Sequence, residues 1–354
     1  MQTFNPSGRP ALIGSLPMDD HEKAAGLVLE YVPEIPLWVQ LPVYREEGMV
    51  AQFLPGMPGV VTEGDKTFID RNKPGFDEEI LAFYEDYLMV GEGGLDLSES
   101  RFAMTGAEAR GFMEMKRRIA ELPEKPVAVK GQITGPITFA TGTTDREGRA
   151  IFYDDELRDV AVKQLAMKAA WQTRELTSFG KPVMVFFDEP ALAGFGSSAF
   201  LTITREAVME ALNEMSRTVH AEGGLSGVHV CANTEWDLLL DSEIKVISFD
   251  AYAYFDKFML YGPKIKSFIE RGGILAVGIV PTTPAEVIEK EDVDSLFRMW
   301  EDQLARLEGL GLTKERIIER TLITPSCGTG SLPLPLAVKV LDMTRGLSRK
   351  IRGL

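Results

Sequence analysis

A histidine and a cysteine stand two residues apart in His229-Val230-Cys231, and the second of the chain's two cysteines lies far downstream in Pro325-Ser326-Cys327-Gly328. On extended chain, residues i and i+2 point the same way, so His229 and Cys231 present an imidazole and a thiol on one face. With Cys327 from another strand end they make a donor set of the softness that zinc prefers. Asp250, closing the run Val246-Ile247-Ser248-Phe249, adds a carboxylate as a fourth donor. An ion held this way could take a substrate thiol into its shell and keep it as the thiolate. The same residues allow a plainer reading, a hydrogen-bonded core histidine with two buried thiols, because no CxxC knuckle marks them as ligands. Asp250 equally suits a helix N-cap.

Other residues could hold a substrate beside such an ion. Asp188 and Glu189 follow the apolar run 183–187 and point to opposite sides, so one of them faces the site and can anchor an ammonium group. A helix cap or a salt bridge is the alternative use. In Ile13-Gly14-Ser15-Leu16-Pro17, Gly14 lets a ligand approach the backbone, and Ser15 offers an N–H and a hydroxyl to a carboxylate. Gln40, polar within Leu37-Trp38-Val39-Gln40-Leu41, reads as a pocket residue or a satisfied buried amide.

These positions share one property: each lies at or just past the end of a predicted strand. Apolar runs at 10–15, 37–41, 127–131, 183–187, 225–230, 246–249, 274–279 and 322–324 alternate with helical patterns at 154–178, 205–221, 257–271, 293–307 and 335–345. Several runs are continuously apolar, as strands buried on both faces are. The pattern predicts one (β/α)8 TIM barrel over residues 1–354 as a single catalytic domain, with a long insertion at 42–126 between strands 2 and 3. In such a barrel all strand ends of one sense converge on one mouth, which the insertion would cover. A polar loop at 141–148 joins that rim.

Composition narrows the class. A net charge of −15 disfavours nucleic acid and anionic membrane surfaces. No apolar run approaches the length of a membrane span. The start Met1-Gln2-Thr3-Phe4-Asn5-Pro6 lacks the basic and apolar regions of a signal peptide, so a cytoplasmic location is expected. Thiols in a reducing compartment stay available as ligands.

As an ordered set, Ile13-Gly14-Ser15 with Pro17, Asp188-Glu189-Pro190-Ala191, His229-Val230-Cys231, Asp250 and Pro325-Ser326-Cys327-Gly328 resemble the C-terminal catalytic barrel of cobalamin-independent methionine synthase, in the superfamily shared with uroporphyrinogen decarboxylase. The resemblance covers nearly the whole chain and implies a zinc-dependent thiol methyltransferase. It implies zinc on His229, Cys231 and Cys327, with Asp250 where the family has a glutamate. It further implies Ser15 and Asp188 holding the amino acid part of homocysteine. Two departures stand out: the loop 278–284 carries no histidine, and Ser326 replaces the family's aspartate. The N-terminal barrel of the long enzymes is not seen, and short relatives of this kind are thought to use methylcobalamin or a methylated corrinoid protein as donor. A corrinoid protein is therefore the expected partner. Alternatives are methylation of coenzyme M or another thiol, a metal-free decarboxylase like the porphyrinogen branch, and a non-catalytic corrinoid-protein partner with structural zinc. Arg9 is the sole arginine before Arg45, which counts against the decarboxylase.

Overall fold

Continuously apolar runs can be buried on both faces only when helices cover one side and other strands the opposite side. The computed structural model, which describes residues 4–195 and 203–354, realises this with one curled parallel sheet. Residues 1–3, the start of the segment scanned for a signal peptide, lie outside the described residues. The strands in chain order are β1 (Val60–Glu63), β2 (Lys66–Ile69), β3 (Val129–Thr134), β4 (Val183–Asp188), β5 (Leu225–Val230), β6 (Val246–Phe249), β7 (Ile274–Val280) and β8 (Thr321–Pro325). β3 to β8 pair in sequence order, all parallel, as successive βα units do. The helices are α1 (His21–Tyr31), α2 (Phe76–Gly91), α3 (Arg110–Glu121), α4 (Pro136–Gly142), α5 (Asp155–Thr177), α6 (Arg205–Ala221), α7 (Trp236–Leu240), α8 (Ala251–Phe258), α9 (Gly262–Glu270), α10 (Ala285–Lys290), α11 (Val293–Glu308), α12 (Lys314–Glu319) and α13 (Leu334–Ile351).

The expected eight-stranded barrel is corrected to a six-stranded half-barrel sheet, a topology compatible with the barrel fold. Segments 10–15 and 37–41 form no ladder. They run between β8 and β3 through single parallel bridges, Pro10 to Ile323, Ser15 to Gln40 and Leu37 to Lys130. The physical reason is in the residues. Pro10 and Pro17 bracket one segment, Pro36 and Pro42 the other, and proline offers no N–H to a ladder.

Strand parity sorts the core. Met184, Phe186, Val246, Ile274, Ala276 and Leu322 form one small cluster, with Ala11, Ile35 and Ala128, on the concave side. Their alternating neighbours Val185, Phe187, Ile247, Leu275, Val277 and Ile323 join the larger cluster under the helices. The single helical run expected at 257–271 divides into the end of α8, a short turn and α9.

The insertion at 42–126 contains an antiparallel β1–β2 hairpin as well as α2 and α3. The polar 141–148 loop is tied down: Ile69 bridges Asp145, and Thr144 bridges Ala150. Among the described residues, no helix is long and apolar enough to cross a membrane.

Candidate metal centre

β5 and β8 are separated by β6 and β7. In a flat sheet their ends would stand roughly 14 Å apart, at about 4.8 Å per strand. Curling brings them together: one donor atom each from His229, Cys231 and Cys327 lies within 4.8 Å of the other two. His229 is in β5, Cys231 just past it, and Cys327 just past β8. The imidazole is buried and oriented by Ser248 of β6, whose Oγ lies 2.9 Å from His229 Nδ1. That contact leaves Nε2 facing the cluster, buried and with no hydrogen-bond partner. A buried ring nitrogen without a partner costs free energy unless something occupies it. Two thiols beside it complete the chemistry of a zinc site, so these residues fit the ion the resemblance implies. A hydrogen bond from Cys327, aided by His229, holds Cys231 below the usual thiol range, and the same bond holds Cys327 above it.

Asp250, expected as a fourth ligand, lies outside the 4.8 Å group formed by the other three donors. Its carboxylate accepts from the Ala253 N–H at 2.9 Å and caps α8. Burial pushes it up to about 6 against the pull of the N–H groups of Ala253 and Tyr252.

A cavity of about 430 Å3 opens beside these three donors, and Gly14, Ser15, Gln40 and Asp188 all line it. Asp188 ends β4 level with His229, its register partner on β5. Its Oδ1 is buried and has no hydrogen-bond partner. Burial raises its pKa, while His229 and Lys130 pull it down. Glu189, also expected to bind substrate, faces the opposite way and is not among the residues lining this cavity. It is fully buried and accepts from the Ile137 N–H (2.8 Å), the Thr138 N–H (2.8 Å) and the Thr138 hydroxyl (2.6 Å). It therefore joins the end of β4 to the start of α4. Burial raises it to about 7, opposed by those three donors.

Ser15 is held by the 327–331 loop. Its carbonyl accepts from the N–H and hydroxyl of Thr329, and its Oγ accepts from the Gly330 N–H at 3.2 Å. A Cβ on Gly328 would fall 2.4 Å from that Oγ, so a larger residue there would push the Ser15 hydroxyl away. Gln40 donates to Gln52 Oε1 at 2.6 Å, which makes it a wall of the cavity anchored from behind.

Sequence reasoning missed part of the wall. Glu47, Gly48 and Met49 of the insertion also line the cavity. Glu47 is buried, accepts from the Leu41 N–H at 2.8 Å and pairs with His21 at 2.6 Å. Ser248 was missed as well, although it stands two residues before Asp250 on the same face of β6. A second cleft of about 480 Å3 lies between the hairpin and the 145–154 loop. Its arginines are internally paired, Arg146 with Asp70 and Arg71 with Asp154.

Compared with known proteins, the chain matches no family model and no curated sequence.

Proposed function

We propose that the chain is a zinc-dependent thiol S-methyltransferase whose acceptor is homocysteine and whose donor is methylcobalamin or a methylated corrinoid protein. The observation that carries this reading is the convergence of His229, Cys231 and Cys327 beside a cavity with one carboxylate oxygen free to bind. Zinc bound there supplies Lewis acidity that keeps the acceptor thiol deprotonated near neutral pH. His229 Nε2 and the two sulfurs would hold the ion, with Ser248 fixing the ring. Three protein donors rather than four leave a position for a substrate, which favours a reactive site over a structural one. Asp188 would take the ammonium of the acceptor through Oδ1. Ser15 would face its carboxylate, since none of the backbone hydrogen bonds among the described residues uses the Ser15 N–H. The loop carrying Glu47 to Met49 would shield the thiolate from water.

The fold behind this reading is a TIM-like barrel whose first two places would be filled by segments 10–15 and 37–41 without a ladder, in a protein that would work in the reducing cytoplasm. Among the described residues, no lysine or arginine lines the cavity, which argues against the sulfonate of coenzyme M and against the carboxylates of a porphyrinogen.

The test is direct. Metal-loaded protein incubated with methylcobalamin and homocysteine should yield methionine, detected by mass spectrometry, and coenzyme M should yield no methylated product. Absence of methylated product from any thiol, with either free methylcobalamin or a methylated corrinoid protein, would overturn the assignment.

A further inference from the structure

Lys130 is a charge where the fold does not need one. It belongs to β3, is fully buried, and lies on the concave side among the alternating inward residues. Its Nζ sits 4.5 Å from the centroid of the Phe186 ring. It donates to the Ile13 carbonyl at 2.5 Å and reaches Gln132 Oε1 at 3.4 Å. The next inward residue, Gln132, donates to the Trp38 carbonyl at 2.7 Å. Those two carbonyls belong to segments 10–15 and 37–41, which meet their neighbours only through single bridges. β3 thus tethers from inside, by side chains, the two segments that no ladder secures.

A glutamine does this without charge, so a lysine requires a further reason. Removing an ammonium from water is costly, and apolar side chains of similar volume usually serve stability as well or better. The acidic group that favours the ammonium is Asp188, which lines the cavity. Burial lowers Lys130 to about 8, and the attraction of Asp188 opposes the fall. Lys130 therefore reaches towards both halves of the polar end of the site: it bonds the residue before Gly14-Ser15, and its ammonium sits over Phe186, the inward residue of β4 next before Asp188.

We infer that Lys130 is a positioning residue that sets Gly14-Ser15 and Asp188 to receive the amino acid head of a thiol acceptor. The inference rests on the reading of the cavity as an acceptor site. It predicts that recognition of the head group is lost separately from binding of sulfur to the metal.

The experiment uses cobalt-substituted protein, whose sulfur-to-metal absorption reports thiol binding, with two probes. Homocysteine carries the head group, and ethanethiol carries none. In Lys130→Met, metal content should be unchanged, homocysteine binding should weaken about tenfold or more, and ethanethiol binding should stay within about twofold. Lys130→Gln, which keeps a donor for the Ile13 carbonyl, guards against a misfolded methionine variant and should show a smaller loss of the same selective kind. Wild-type homocysteine affinity in either folded variant overturns the inference. Equal weakening of both thiols also overturns it, because that is damage to the fold. If the wild type itself does not prefer homocysteine to ethanethiol, the acceptor reading fails instead.

Discussion

Replacing Glu189 by glutamine separates a structural carboxylate from a substrate-binding one. Oε1 accepts from the Ile137 N–H, and Oε2 accepts from both the N–H and the hydroxyl of Thr138. Glutamine retains one acceptor, which can serve Ile137. Its NH2 then faces the Thr138 N–H, and the Thr138 hydroxyl cannot fully compensate because it already accepts from the Ala191 N–H at 3.1 Å. One buried N–H is left without a partner, at about 1–3 kcal/mol, and the remaining bond loses its charge assistance, worth about 1 kcal/mol. Against this, the ionised carboxylate carries a burial cost that glutamine does not, since its pKa stands at about 7, so Glu189→Gln should destabilise the protein by only about 1 kcal/mol or less. Urea denaturation at pH 8.5, where the wild-type carboxylate is ionised, reads the difference as a lower midpoint with an unchanged slope. Metal content and thiol affinity at low temperature should match the wild type. An unshifted midpoint combined with weakened thiol binding would refute the reasoning and return Glu189 to the cavity.

Ser248→Ala should lower metal affinity by about 10–100-fold, as loss of an orienting partner on a ligand histidine does, measured by competition with a chelator. Unchanged affinity would mean that packing alone orients His229. Asp250→Ala should keep the full complement of metal and cost about 0.5–2 kcal/mol through loss of the α8 cap; loss of metal would make Asp250 a ligand after all. His220 is depressed to about 4, chiefly by burial and further by Lys245, with Glu243 opposing. The unfolded chain takes up that proton near pH 6.5 and the folded chain only near 4. The stability His220 contributes is thus complete above about pH 6.5 and is lost as pH falls towards 4. The full shift corresponds to about 3 kcal/mol, reduced to about 1–2 by the partial exposure of the ring. His220→Gln should flatten the stability profile between pH 4 and 6.5, and a profile as steep as the wild type's would exclude His220 as its source.

The convergence of the candidate donors was legible because strand parity is a local property. His229 and Cys231 share a face whatever the rest of the chain does, and strand ends of one sense share a rim. The distinction between ligand and cap was not legible. Asp250 and Glu189 are both carboxylates at strand ends, and their roles depend on where the N–H groups of α8 and α4 fall. Segments 10–15 and 37–41 carry the hydrophobicity of strands, yet their flanking prolines limit the pairing to single bridges. Lys130 passed unnoticed because one lysine inside an apolar run reads as an exposed position. Only the curl of the sheet shows that it points inward, towards Ile13 on a segment far away in the chain.

Metal analysis joined to X-ray absorption at the zinc edge tests the central claim most directly. One zinc per chain with two sulfur scatterers and one imidazole nitrogen from the protein is the predicted shell, and a third sulfur should appear when homocysteine is added. Protein that binds no zinc, or zinc in a shell without sulfur, would contradict it.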